Sequence, residues 1–86
     1  MKLSATQLDV LAAVERGEVW RNEADHRCFT GAAGAVTRTV AALRTRGLVA
    51  PDSPDIGIDP VSGDLCTYFG LTDAGRAALA ERAETP

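Results

Sequence analysis

Three arginines are the only charged residues in the stretch 31–47: Arg38, Arg44 and Arg46. Read as a helix with Val36 set toward a core, the helical period carries Gly34, Arg38, Ala41 and Thr45 to the opposite face. Thr37 and Arg44 flank that face. Guanidinium groups there could pair with phosphate oxygens or take a guanine edge through two parallel hydrogen bonds. Small residues such as Gly34 and Ala41 would let a ligand approach the backbone closely. The Thr37 and Thr45 hydroxyls, and the amides near Thr30 and Gly34, suit phosphate contacts or a thymine methyl. Arg21 and Arg27 would add backbone contacts if they lie on a neighbouring hairpin. The chemistry these residues offer is recognition of double-stranded DNA. An Ala/Arg/Thr face is also what an ordinary solvated helix carries.

Other chemistries fit less well. Cys28 and Cys66 are the two cysteines, with no C-x-x-C spacing, so two reduced, partly buried thiols are expected. His26, Cys28 and Cys66 would supply three zinc ligands, whereas structural zinc sites close with four. No metal is expected, and His26 reads as a solvent-facing turn residue. The glycines at 31 and 34 do not lead into the Lys-[Ser/Thr] ending of a phosphate loop. No nucleophile–base pair, paired carboxylates or cofactor loop is evident. The expectation is therefore a non-enzyme without a cofactor.

The net charge is −3, an unpromising average for a partner of phosphates. The average conceals a division. Residues 48–66 carry Asp52, Asp55, Asp59 and Asp64 and no cation. A loop with this charge should be repelled from DNA unless it points away. It could instead present carboxylates to a basic protein partner, which gives a second functional reading: an interaction module docking through the acidic loop Asp52–Asp64 or the small-residue helix face.

Eighty-six residues fit one domain, 1–86, with a modest core. No apolar run approaches a membrane span and no signal-peptide pattern opens the chain. A cytoplasmic protein with no membrane partner is expected. Residues 4–16 read as a helix, with Ser4 and Gln7 forming a capping box and Gly17 as its stop. Residues 18–30 read either as a β-hairpin, with Val19 and Arg21 on one face and Trp20 on the other, or as a short helix after Asn22. The next helix spans 32–46, capped by Thr30, with Val36, Val40 and Leu43 on its core side and Gly47 ending it in a left-handed conformation. A loop over 50–64 holds Pro51, Pro54 and Pro60. A strand follows from Leu65 to Leu71. Thr72 caps a last helix running to about residue 82, with a frayed tail over 83–86. The fold class is mainly α with a small antiparallel β component.

Two stretches support a family resemblance. Val36-Thr37-Arg38-x-Val40-x-x-Leu43-x-x-Arg46-Gly47-Leu48-Val49 resembles the recognition helix and first wing strand of MarR-like (multiple antibiotic resistance regulator) proteins. Leu71-Thr72-Asp73-Ala74-Gly75-Arg76 resembles their exit from the wing into the following helix. The resemblance implies a winged helix-turn-helix domain of three helices and a two-stranded wing. It implies a small prokaryotic-type transcriptional regulator with helix 32–46 in the major groove and Thr37 and Arg38 at DNA-facing positions. Two departures stand out. The stretch 18–30 occupies the place of the helix before the recognition helix, and the family's long dimerising helices have no counterpart in these residues. The family dimer is therefore not carried over, although one copy alone would bind weakly and a homodimer or tandem site is expected.

Overall fold

A computed structural model describes residues 3–31 and 34–84, with the side chains at 52–55 and 82–84 outside that description. In chain order the elements are α1 (Ala5–Glu15), β1 (Val19–Asn22), β2 (Cys28–Thr30), β3 (Gly34–Ala35), α2 (Thr37–Thr45), β4 (Val49–Ile58), β5 (Leu65–Leu71) and α3 (Asp73–Glu84). The strands form one antiparallel sheet in the order β3-β2-β1-β5-β4.

This sheet overturns the expectation of a mainly α, winged helix-turn-helix domain with a two-stranded wing. The cause is β1, which pairs on both sides. Trp20 stands opposite Phe29 of β2 and opposite Tyr68 of β5. The 18–30 hairpin and the β4–β5 ribbon are thereby joined into one surface. Of the two readings of 18–30, the backbone adopts the hairpin. Trp20 gains a ring on each side, at centroid distances of 6.3 Å from Phe29 and 6.1 Å from Tyr68. Val19 is meanwhile fully buried on the opposite face. His26, at φ 60, takes the left-handed conformation that closes the turn, and its side chain is exposed.

The second helix also differs from expectation. It begins at Thr37, not at 32, because Gly34 and Ala35 pair with Thr30 and Phe29 as a third strand. Gly34 has φ 76, which no right-handed helix accommodates. Val36 takes the N-cap position and has no polar side chain to offer. Thr30 caps nothing, since it lies inside β2 with its hydroxyl buried and without a hydrogen bond. Residues 32 and 33 lie outside the described residues.

The stretch expected as a loop over 50–64 is largely strand. β4 continues to Ile58, with a register shift between Pro51 and Ile56. Pro51 and Pro54 are tolerated because β4 is the edge strand, where a missing N–H breaks no inner ladder. The turn itself is confined to 59–64. α3 extends to Glu84, beyond the expected stop, and residues 85–86 are outside the description.

Local rules set the helix ends. Ser4 accepts from the Gln7 amide and the Gln7 side chain accepts from the Ser4 amide, the expected capping box. α1 and α2 finish alike. Gly17 and Gly47, at φ 72 and φ 73, are followed by Glu18 and Leu48, whose amides reach back to Ala13 and Leu43 at 3.0 Å each. This is the Schellman arrangement that satisfies the last carbonyls of a helix.

The core lies between the helices and one face of the sheet. Leu11, Val19, Val40 and Leu43 have no exposure, and Val10, Val14, Leu48, Val49 and Phe69 are buried around them. Val36 packs against this cluster from the edge. α1 buries Val10, Leu11, Ala13 and Val14 and leaves Leu8 half-buried.

α3 is tied down through Thr72 and Gly75. The Thr72 amide donates to the Leu48 carbonyl at 3.1 Å. Its hydroxyl donates to the Gly47 carbonyl at 2.5 Å and accepts from the Gly75 amide at 3.1 Å. A Cβ at Gly75 would stand 2.1 Å from the Leu48 carbonyl oxygen. Gly→Ala normally favours a helix. Here the backbone contact leaves no room, so Gly75→Ala should destabilise the domain by about 2 kcal/mol. Urea unfolding followed by circular dichroism measures this, and a gain in stability would contradict the close seating of α3 on Leu48.

Candidate nucleic-acid interface

α2 is held in one rotational setting by its core side, Val40 and Leu43. The opposite side is open: Thr37, Arg38, Ala41, Arg44 and Thr45 are all exposed, and exposed Gly34 lies just ahead of them in β3. The helix contains no carboxylate. Arg38 and Arg46 form no ion pair among the described residues. The Arg44 guanidinium sits 5.9 Å from the centroid of the buried Phe69 ring. That cation–π contact fixes its stem while leaving the charge facing solvent.

The two threonine hydroxyls are half used. Thr37 Oγ1 accepts from the Cys28 amide at 3.1 Å, which pins the start of α2 to β2. Its own proton is left to donate. Thr45 Oγ1 donates to the Ala41 carbonyl at 3.0 Å and keeps its lone pairs as acceptors. The first-turn amides of α2 add the positive end of the helix dipole.

The remaining expected contact residues are placed differently. Arg27 is exposed in the β1–β2 turn. Arg21 is half-buried and turns to Glu23, its guanidinium donating at 3.2 Å and 3.3 Å. Glu23 also accepts from the Thr67 hydroxyl at 2.6 Å. The Thr67 bond, with Arg21 beside it, holds the Glu23 carboxyl below its usual range despite some desolvation. Arg21 is therefore already neutralised. Thr30 is buried. Burial pushes the Cys28 thiol up in pKa, while Arg21 and Arg44 pull it down, so these two cations flank the same strand. Five of the nine expected residues thus share one helix face, Gly34 adjoins it, and Arg21 and Thr30 point into the fold.

The hairpin turn holds a network that the sequence reading missed. Asp59 is buried, at 3% exposure. Its Oδ2 accepts from Trp20 Nε1 and Asn22 Nδ2, each at 3.0 Å. Its Oδ1 accepts from the Val61 and Ser62 amides at 2.8 Å and 3.2 Å. Asn22 Nδ2 also donates to Ser62 Oγ at 2.9 Å, and Asn22 Oδ1 accepts from the Ala24 amide at 2.8 Å. One asparagine side chain thus binds both hairpin turns. The Asx-type spacing from Asp59 to Val61 and Ser62 was a usable signal. Asp64 is exposed, and the side chains at 52 and 55 lie outside the described residues.

Beyond the helices the same hairpin exposes apolar side chains: Ile56 at 65%, Ile58 at 59%, Val61 at 88% and Leu65 at 60%. Elsewhere, an open groove of about 290 Å³ lies among Val14, Glu15, Phe69, Leu71 and Arg76. No three potential metal ligands cluster among the described residues. No protein-family model, curated protein or solved structure matches this chain.

The Asp59 network makes a prediction about acid stability. Burial would raise the Asp59 pKa, but the bonds from Val61, Asn22, Ser62 and Trp20 outweigh it and hold the carboxyl at about 2, against an ordinary 3.8. A carboxyl depressed on folding stabilises the native state fully above its unfolded pKa, and the contribution fades as pH falls through the folded one. The hairpin should therefore hold to about pH 4 and loosen between there and pH 2. Trp20 is the single tryptophan, so its emission reports the change directly. Asn22→Ala, which removes one donor, should move the emission midpoint upward in pH. An unchanged midpoint would mean that Asn22 does not act on this carboxylate.

Proposed function

We propose that this chain binds double-stranded DNA through the exposed face of α2, acting as a small sequence-specific regulator of transcription and not as an enzyme. The observation that carries the reading is the convergence of Arg38, Arg44, Thr37, Thr45 and Ala41 on one solvent face of a carboxylate-free helix. Its small side chains would permit entry into the major groove. Arg38, exposed and without an ion pair among the described residues, is the residue suited to a guanine edge or a phosphate.

The acidic turn at 59–64 is a weaker objection than its composition suggests. Asp59 is turned inward and saturated with donors. Arg44 is anchored at Phe69. The end of β5 at Leu65 lies four residues away, about 13 Å along the strand. At physiological salt the screening length is about 8 Å, so the tip does not cancel the field of α2. One copy presents a single short helix, and two copies on two half-sites would be needed for tight binding. The second reading, a protein-docking module, is favoured by the exposed apolar residues of the hairpin.

Fluorescence anisotropy with a labelled duplex tests the proposal. Binding should be measurable at about 50 mM salt and fall steeply as salt rises. Arg38→Ala should weaken it about tenfold and flatten the log–log salt slope by about 1. Absence of duplex binding at low salt would overturn the reading.

A further inference from the structure

Once α2 is fixed in rotation, its three arginines are not equivalent. Val40 and Leu43 are fully buried and Val36 packs beside them, which sets the core direction of the helix. At about 100° per residue, Arg38 and Thr45 fall opposite that direction, with Ala41 beside them. Arg44 and Arg46 are two residues apart, about 200° around the axis, and therefore take opposite flanks. Arg46 is the C-cap and keeps a right-handed helical backbone, at φ −83, so the period still holds there. Side-chain contacts agree with this placement. The flank of Arg44 is the one turned to the sheet: its guanidinium lies 5.9 Å from the Phe69 centroid. On the same flank Thr37 Oγ1 accepts from the Cys28 amide. Arg38 and Arg46 are exposed.

Groove dimensions turn these positions into roles. The major groove is about 12 Å wide, and a helix with its side chains is about 10–12 Å across. A helix of that width fills the groove. Its outermost side chain reaches the base edges on the floor, and its two flanks lie along the walls, where the phosphates are. The Phe69 contact draws Arg44 toward the sheet and away from the floor. A guanine edge needs the planar fork of a guanidinium, whereas a phosphate can be held by charge alone. Resting on the DNA reading, we infer that Arg38 is the one arginine of α2 that reads a base, through two parallel hydrogen bonds to guanine, and that Arg44 and Arg46 hold phosphates on the two opposite strands. Sequence discrimination and electrostatic affinity are thereby assigned to different residues of one short helix.

Lysine substitutions separate the two roles, because lysine keeps the charge and loses the fork. Enrichment from a random duplex library at about 50 mM salt supplies a preferred duplex, and fluorescence anisotropy compares it with a shuffled duplex of the same composition. Arg38→Lys should cut the ratio of the two affinities about tenfold while leaving binding to the shuffled duplex unchanged. Arg44→Lys and Arg46→Lys should leave the ratio as it is. Arg44→Ala and Arg46→Ala should each weaken both duplexes by the same factor and flatten the log–log salt slope by about 1. Circular dichroism checks that every variant is folded. An unchanged ratio in Arg38→Lys, or a reduced one in Arg44→Lys or Arg46→Lys, would overturn the assignment and leave duplex binding standing. So would a library that yields binding without any preferred sequence. Absence of all duplex binding would instead overturn the DNA reading, and the assignment with it.

Discussion

β1 has four residues and is hydrogen-bonded on both edges, and most of the fold follows from that constraint. Its alternation sends Val19 into the core beneath the helices. Trp20 and Asn22 go to the other side, where Phe29, Tyr68 and Asp59 cover the tryptophan. A strand with partners on both edges cannot slip by one residue without exchanging Val19 for Trp20 and stranding the Asn22 amide. Asn22 then extends the control outward. Its backbone closes the β1–β2 turn through Arg27 and His26, and its side chain holds Asp59 and Ser62 in the β4–β5 turn. Two hairpins distant in sequence are thus fixed to one reference.

α2 inherits its position from this sheet. The Cys28 amide, at the start of β2, holds Thr37 at one end of the helix. At the other end, Gly47 and Leu48 give their carbonyls to Thr72. Between these points Val40 and Leu43 bury the inner side. The helix spends its apolar residues on the fold and has only small residues, hydroxyls and guanidinium groups left for its outer side. This division explains why a nine-residue helix, too short to be stable alone in water, can still present a defined surface.

What could be read in the sequence was what local rules determine. Ser4 with Gln7, the left-handed glycines at 17 and 47, the burial of Val40 and Leu43, and the strand from Leu65 to Leu71 all depend on neighbours within a turn or on simple periodicity. What could not be read was nonlocal. The pairing of β1 with β5 joins residues more than forty positions apart, and no periodicity in either segment announces it. The late start of α2 turns on a single dihedral at Gly34, whose residue type permits both a loose helix and a strand. Asp59 illustrates the same limit for charge. Its composition marked it as part of a repulsive loop, while its surroundings make it the acceptor that anchors the turn. The helical period put Arg38, Ala41 and Thr45 on the outer side of α2, and all three are exposed. It could not foresee that Arg21 would be taken by Glu23.

The charge of α2 is opposite in sign to the net charge of the molecule, and ionic strength decides which of the two a partner senses. The domain measures 40 × 24 × 20 Å. At about 10 mM salt the screening length is about 30 Å, so an anionic partner senses the whole molecule and its net charge of −3. At about 0.15 M the length falls to about 8 Å, and a partner beside α2 senses mainly Arg38, Arg44 and Arg46. An anionic surface approaching α2 then meets guanidinium groups on a helix that carries no carboxylate. A negative net charge and a cationic helix face are therefore compatible in one small domain.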